Sequence, residues 1–535
     1  MNTSTLIVKI REIVFENNGR ANVCIKENGR ISDLGEPAVF SKKELLNRFV
    51  SKENGFADVL VGSDKIAFAV DRIRTFPLFY AVKSGKLLIS DDASWIRAHI
   101  GCRLLDNQAV TEFFQSGFIA GDRTLYKEIR TLQAGEYAVA HRVNDLWELS
   151  KERYFTYFSE TFRDETVPVL LNELDHILNR IFSRIADVYR ERRLVVPLSG
   201  GLDSRLIVSW LKRLGCENVQ CYSFGTPSTR DCLIARKIAA RLNYSWNFIH
   251  LTDKLWKKSY SCEYYHRLRR HYSGYCSLLT NHEFPVFIRM LEDRNLIPKE
   301  AVILPGHTGD FISGGHIPQD IHACQSYKEF TIRYILEKHF MLWNTINRKY
   351  RKAELTYLIN RIENQIKHVE IDSAESVAQA IEYYDWQERQ AKFIVQFVSI
   401  YKLFNYSFEM PLWSKDLIDF FVKIPMSLKI GKNLYIQYLK KYDPFDIFQG
   451  IPDPSHNAVT SRDSIKKDVR PHRLKKTVRT GLKRFYKLFG TYFTNDYNYY
   501  APFSFGRIIL NLGQHRNPNS FHVQDFLRDV RTGLI

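Results

Sequence analysis

The most constraining stretch of the chain is Leu194-Val195-Val196-Pro197-Leu198-Ser199-Gly200-Gly201-Leu202-Asp203-Ser204. Its first five residues read as a short buried strand, the two glycines as a tight turn, and Ser204 to Leu214 as a helix. A second round follows at once, with Val219 to Phe224 as strand, Asp231 to Leu242 as helix and Trp246 to Leu251 as a third strand. Upstream, Leu170, Leu174, Ile177, Ile181, Ile185 and Val188 recur at helical spacing, which predicts a helix over 167–193. Strands and helices alternating in this way imply an α/β fold, a parallel sheet with helices on both faces. Ligands of such sheets bind beyond the carboxyl ends of the strands, the edge on which the Gly-Gly turn and Ser223-Phe224-Gly225 fall.

The residue types in the turn suit an anion. Two glycines let the backbone come close, the helix start offers unpaired N–H groups, and Ser199 and Ser204 add hydroxyl donors. Asp203 would repel a phosphate by itself. It fits if Mg²⁺ bridges its carboxylate to the phosphate oxygens. The turn lacks the Gly-Lys-Ser/Thr ending of a Walker A loop.

Before this region, residues 1 to about 158 read as β-rich: Thr5 to Ile10 is strand-like, and Val59 to Ala69, Leu78 to Lys83 and Leu87 to Ser90 resemble paired strands, the last two joined at Ser84-Gly85. A further strand pair is expected across Thr124 to Val139, around Gln133-Ala134-Gly135. Beyond about 325 the chain looks helical and aromatic, and its last eighty or so residues are basic and Tyr-rich. The divisions expected are 1–158, 166–450 and 451–535. At 535 residues, two or three domains are expected.

Four ordered segments resemble the asparagine synthetase family. Ser199 to Ser204 resembles the SGGxDS loop of its N-type ATP pyrophosphatase domain. Leu304-Pro305-Gly306-His307-Thr308-Gly309-Asp310, followed by Ser313-Gly314-Gly315, stands where that family has SGEGxDE and a Gly-rich turn. Tyr406 to Leu412 is similar to "SLExRxPFLD", and Asp71 to Tyr80 to "RDxxGxxPLYY" of the glutaminase domain. The resemblance implies an N-terminal Ntn-hydrolase-like domain, a HUP-type ATP pyrophosphatase domain and a helical C-terminal part. It assigns Leu198, Phe224 and Gly306 to the adenine and ribose environment, and Ser199, Gly200, Gly201 and Ser204 to the pyrophosphate. Asp203 and Asp310 would hold Mg²⁺. The implied reaction joins a carboxylate to the α-phosphate of ATP, and a nitrogen nucleophile then displaces AMP.

The chain departs from that pattern in three places. The family's glutaminase nucleophile is a cysteine exposed by removal of Met1, whereas this chain has Asn2, and an amide cannot replace a thiolate. That domain's Asn-Gly substrate-holding motif also has no counterpart, so an inactive glutaminase-like domain is expected. His307 replaces the glutamate of the second signature; it serves as general base for the amine or merely hydrogen-bonds the loop. Lys432, in Ile430-Gly431-Lys432-Asn433, is the candidate for the family's intermediate-stabilising lysine, the alternative being an exposed lysine at a helix start.

Other signals are plain. The eight cysteines show no CxxC spacing and read as reduced, mostly core residues. His282-Glu283 meets Val286 where a zincin needs its second His. Met1 to Thr5 lacks a basic region followed by an apolar one, so no signal peptide is expected, and Phe393 to Phe404, the nearest approach to a membrane span, is interrupted by Gln396 and Lys402. A cytoplasmic protein is expected. The net charge of +18 is concentrated in Ser461 to Lys487, with eleven Lys or Arg against two Asp. That stretch suits nucleic acid, anionic lipid or an acidic glycan, or is simply a solvated helix face.

The expected activity is therefore an AMP-forming amide ligase using ATP and Mg²⁺ without its own glutamine hydrolysis. Its partners would be a carboxylate (small acid, sugar acid or peptide) and ammonia or an amine, with a separate glutaminase as one nitrogen source. The Pro-Gly-His-x-Gly-Asp-Phe wording leans toward bacterial surface-polysaccharide relatives. The alternatives are ring closure, as in β-lactam synthetases and lasso-peptide cyclases, and a PP-loop enzyme acting on tRNA. For the last, the charge is the only specific support, and nucleic acid is not expected as a partner.

Overall fold

The structure is a computed structural model that describes residues 6–10, 13–17, 24–27, 30–33, 41–61, 65–144, 146–227, 229–279, 282–293, 296–343, 351–451, 499–511 and 514–535. Asn2, the basic stretch 461–487 and Tyr497 lie outside the described residues.

Among the described residues, eleven strands come first: β1 (Leu6–Ile10), β2 (Ile13–Asn17), β3 (Cys24–Glu27), β4 (Arg30–Asp33), β5 (Phe56–Val61), β6 (Lys65–Val70), β7 (Phe79–Lys83), β8 (Lys86–Ser90), β9 (Arg130–Thr131), β10 (Glu136–Val143) and β11 (Leu146–Arg153). They form one sheet in the order β2-β1-β8-β7-β9 and another in the order β11-β10-β6-β5-β3-β4. Both sheets contribute to one apolar layer, with Val59, Phe68 and Ala138 from one and Leu87 and Ile89 from the other. The period of two decides who goes where. On β5, Ala57, Val59 and Val61 enter that layer, while Phe56 and Leu60 pack with Leu45 and Phe49 of the helix Lys42–Ser51. That helix starts in a Ser41/Glu44 capping box.

Val59 to Ala69 holds two paired strands, with Val59 opposite Phe68. One expectation needs correcting here. The strands around Gln133-Ala134-Gly135 do not pair with each other: β9 joins β7, whereas β10 joins β6 and β11. Gly135 makes the chain change sheets. Its φ is +68°, and a Cβ there would meet the Phe155 carbonyl oxygen at 2.5 Å, so the step is open to glycine.

The second half is built on β12 (Leu194–Pro197), β13 (Val219–Gly225), β14 (Ser245–His250), β15 (Val302–Ile303) and β16 (Ser407–Phe408), ordered β14-β13-β12-β15-β16 and all parallel. The expected strands and helices of this half are found, within one or two residues for most boundaries. The helix that precedes them ends earlier than expected, spanning Val167–Val188. Both faces of the sheet are covered. Leu194, Val196 and Cys221 enter one core, and Val195 and Tyr222 the other. The chain runs outward from β12 to β14, then returns to lay β15 on the other side of β12. That reversal opens a crevice at the carboxyl ends of β12 and β15.

The halves are clamped together by a wide-turned π-helical segment, Asp385–Ile394, inside a longer run of helix. The Trp386 indole donates to the Arg72 carbonyl at 2.7 Å, and the Glu388 carboxylate accepts the Gly121 N–H at 3.0 Å. The stretch from Phe393 to Phe404 belongs to this clamp, and its two polar interruptions have uses. Gln396 reaches the Arg74 carbonyl, and Lys402 the Thr75 carbonyl at 2.7 Å. No helix among the described residues is long and apolar enough to cross a membrane. Seven cysteines in the described residues are free thiols, four of them buried.

The last residues, hard to place from sequence, are woven into the first half. The helix Asn519–Thr532 lays Phe526 against Phe113, with ring centroids 5.0 Å apart, and Phe521, Leu527 and Val530 join the same core. Phe526→Ala is expected to cost about 3–5 kcal/mol, read as a lower denaturation midpoint of the whole chain.

Candidate active site

Both Gly-rich segments open into the crevice. The loop Ser199 to Gly201 leaves β12 and the helix Leu202–Arg213 begins at Gly201, which provides no side-chain cap. The first N–H groups of that helix are thus without a capping side chain, the arrangement that receives an anion. In the loop, Ser199 Oγ accepts the Gly201 N–H at 3.1 Å and lies 3.2 Å from Ser204 Oγ. Gly200 stays buried beneath, its carbonyl accepting from Arg205 at 2.6 Å. Arg205, itself fully buried, also donates to the carbonyls of Ile447 and Ile451, each at 2.7 Å. This brace was not foreseen, although a charged residue on an otherwise apolar helix face was its signal.

Across the crevice, the segment after β15 brings Asp310 to Asp203. The Asp310 N–H donates to Asp203 Oδ2 at 2.8 Å, and Tyr435 O–H donates to Oδ1 at 3.2 Å. Two glycines permit the approach. A Cβ on Gly306 would lie 3.0 Å from the Ser204 nitrogen, and one on Gly309 would lie 2.5 Å from Asp203 Oδ1. Gly309→Ala is expected to displace Asp203 and slow any step that depends on it by about 10–100-fold, with the melting temperature little changed.

Lys432 Nζ lies 2.9 Å from Asp310 Oδ1, and His316 Nε2 lies 3.2 Å from Oδ2. The other His316 nitrogen is 2.7 Å from the buried Asp385, which Lys338 also approaches at 3.1 Å. Sequence reading missed His316 and Asp385. The Gly-Gly-His wording gave a weak hint of the first, and nothing local marks the second.

The electrostatics of the two aspartates differ. The hydrogen bond from His316, followed by Lys432, holds Asp310 well below the usual carboxylate range. Burial and the neighbouring Asp310 push Asp203 up to about 6. A carboxyl so raised beside another marks a place built for more positive charge than the side chains supply. Two carboxylates and phosphate oxygens fit the hard-oxygen preference of Mg²⁺, and Asp203 and Asp310 would hold it. Among the described residues, no three His, Cys, Asp or Glu side chains gather as a metal site.

These groups surround a cavity of about 520 Å³. It is lined by Leu198, Ser199, Gly201, Asp203, Ser204, Phe224, Gly306, His307, Asp310 and Lys432, so of the expected site residues Gly200 alone does not reach its wall. Burial pushes His307 down to about 4, and its buried Nδ1 has no hydrogen-bond partner among the described residues. Such an imidazole is neutral at pH 7.

A family model for asparagine synthase matches residues 187–443, a span that contains every part of this crevice. Another, for a glutamine amidotransferase domain, matches residues 48–155. The chain belongs to the asparagine synthetase family. It is a carbon–nitrogen ligase of amidotransferase type, with the Ntn-type and synthetase halves described above. No curated protein matches the chain. The amidotransferase match begins beyond Asn2. Asn-Gly pairs do occur in this half, contrary to the sequence reading. Asn18-Gly19 and Asn28-Gly29 lie outside the described residues. Asn54-Gly55 is spent on structure: Asn54 Nδ2 donates to the Trp413 carbonyl at 2.5 Å, and the Gly55 N–H to Asp71 at 2.9 Å.

Proposed function

We propose that this member of the asparagine synthetase family is an AMP-forming amide ligase that activates a carboxylate with ATP and does not hydrolyse glutamine itself. The observation that carries the proposal is the meeting of Asp203 and Asp310 at the uncapped helix start beyond the Gly-Gly turn. The uncapped N–H groups, with Ser199 and Ser204, hold the β- and γ-phosphates. A carboxylate oxygen of the substrate attacks the α-phosphorus, the C–O–P linkage forms, and pyrophosphate leaves. Mg²⁺, when bound, neutralises charge on the departing pyrophosphate. An amine then attacks the acyl carbon, AMP leaves with the bonding pair, and the amine proton passes to solvent or a base. Lys432 is placed to turn from Asp310 to phosphate oxygens. His307, neutral at pH 7, serves as a hydrogen-bonding group on the cavity wall. Positioning and charge neutralisation supply most of the rate.

The test is exchange of labelled pyrophosphate into ATP with pools of small acids, sugar acids and peptides in the presence of Mg²⁺. Exchange with one of these pools is expected, and a folded protein that supports none, and binds no ATP, refutes the proposal. Exchange with a sugar-acid pool would support a surface-polysaccharide role, and exchange with a peptide pool ring closure. The purified chain is expected to release no glutamate from glutamine; measurable release overturns the inactive reading of the first half.

A further inference from the structure

Asp310 is held from two sides, and the two holds differ in kind. Lys432 meets Oδ1 from the cavity wall, at the end of a flexible stem. His316 meets Oδ2, and neither it nor the Asp385 behind it lines the cavity. The surroundings of His316 fix its direction. Its Nδ1 lies 2.7 Å from Asp385 Oδ2, and the other oxygen of that buried carboxylate accepts from Gln390 at 3.0 Å. The His316 carbonyl accepts the Tyr334 O–H at 2.9 Å, and the Phe311 ring stands edge-on to the imidazole with centroids 5.8 Å apart. Gly315 lets the chain double back from Asp310 this closely. A Cβ there would meet the Asp310 backbone oxygen at 2.7 Å and its carboxylate as well. The Asp310 side chain is itself 46% exposed, so by packing alone it would share several rotamers.

We propose that His316 is a positioning residue for the cation site. By pinning Oδ2 it keeps Asp310 in one rotamer and presents Oδ1 to the cation. The inference rests on Asp310 being a cation ligand, as proposed above. A ligating carboxylate that is itself hydrogen-bonded reaches the metal already oriented, and loss of such a partner costs about 10–100-fold in metal affinity or activity. The imidazole suits this task because its two nitrogens lie on opposite edges of a rigid ring. One is spent on Asp385, which leaves the other a single line toward Asp310. Charge works the opposite way. An imidazole that donates to both carboxylates carries a proton on each nitrogen, and its positive charge by itself repels a cation. On this proposal orientation outweighs that repulsion, and variants matched in charge separate the two.

The test compares His316→Phe with His316→Gln, both uncharged, of which only the glutamine keeps an N–H donor for Asp310. Mn²⁺ is titrated into the full chain without nucleotide, and the spin-resonance signal of unbound metal is followed. His316→Phe is expected to bind Mn²⁺ more weakly than His316→Gln by about tenfold or more. In pyrophosphate exchange the half-saturating Mg²⁺ is expected to rise by a similar factor, with the rate recovering at high Mg²⁺. His316→Leu repeats the comparison if the phenyl variant does not fold, and thermal melts report on all three. Equal Mn²⁺ affinity in the Phe and Gln variants overturns the inference. So does a slower exchange with the half-saturating Mg²⁺ unmoved, which is the mark of a packing role. In both cases the wild type still binds Mn²⁺ and Asp310→Ala does not. A wild type that binds Mn²⁺ no better than Asp310→Ala refutes the cation reading itself, and this inference with it.

Discussion

Replacing Asp203 or Asp310 with alanine is expected to lower pyrophosphate exchange by about 10²–10³-fold or more, the scale of losing a preorganised charge-stabilising group. The Asp203 carboxylate accepts the Asp310 backbone N–H, and on the proposed mechanism both side chains serve one phosphate chain, so the double variant should lose little beyond either single one. Asp203 carries a second, opposite expectation. An unfolded chain gives up this proton near the ordinary 3.8, and the folded chain near about 6. Between those values the folded state holds the extra proton, so its stability falls as pH rises through the window, and the penalty persists above it. Asp203→Asn removes the charge while keeping an oxygen for the Asp310 N–H. Without added metal at pH 7.5 it should be more stable than wild type by about 1–2 kcal/mol, with the gain shrinking toward pH 4. Thermal melts at the two pH values check this. A variant that is dead in exchange and yet melts higher would show that the wild type carries strain for the sake of a cation.

A large expected effect on stability lies away from the crevice. Lys392 and Glu388 are both fully buried, 2.6 Å apart, and bind the first half through the Ile119 carbonyl at 2.7 Å and the Gly121 N–H at 3.0 Å. Lys392→Ala or Glu388→Ala strands a charge inside the protein and should cost about 3–5 kcal/mol. The double replacement Glu388→Gln with Lys392→Met strands none and should cost much less. Denaturant midpoints of the three variants decide the matter. If Lys392→Ala melts like the wild type, the pair does not hold the halves together.

The sequence was most informative where chemistry and chain order coincide. Strand, Gly-Gly turn and helix are contiguous, so β12, its loop and the following helix were legible, as were β13 and β14. The first half was less so, because its pairings join distant residues. Nothing near Gly135 says that β9 and β10 part into different sheets. The site divides in the same way. Asp203 and Asp310 stood in recognisable segments, whereas Asp385, Tyr435 and Arg205 act through contacts far along the chain. Lys392 and Glu388 were invisible because a buried ion pair, read in one dimension, looks like two polar residues in a helix.

The π-helical turn Asp385–Ile394 sends Asp385 toward the His316 that steadies Asp310, and Glu388 and Lys392 into the first half. One element thus belongs to both the crevice and the seam. A gene that discarded its leading codons would leave this segment with a bare Lys–Glu pair and would loosen the support of the aspartate on its other face. If the first half hydrolyses no glutamine, as proposed, it still serves as a foundation, kept by the architecture of the enzyme raised on it.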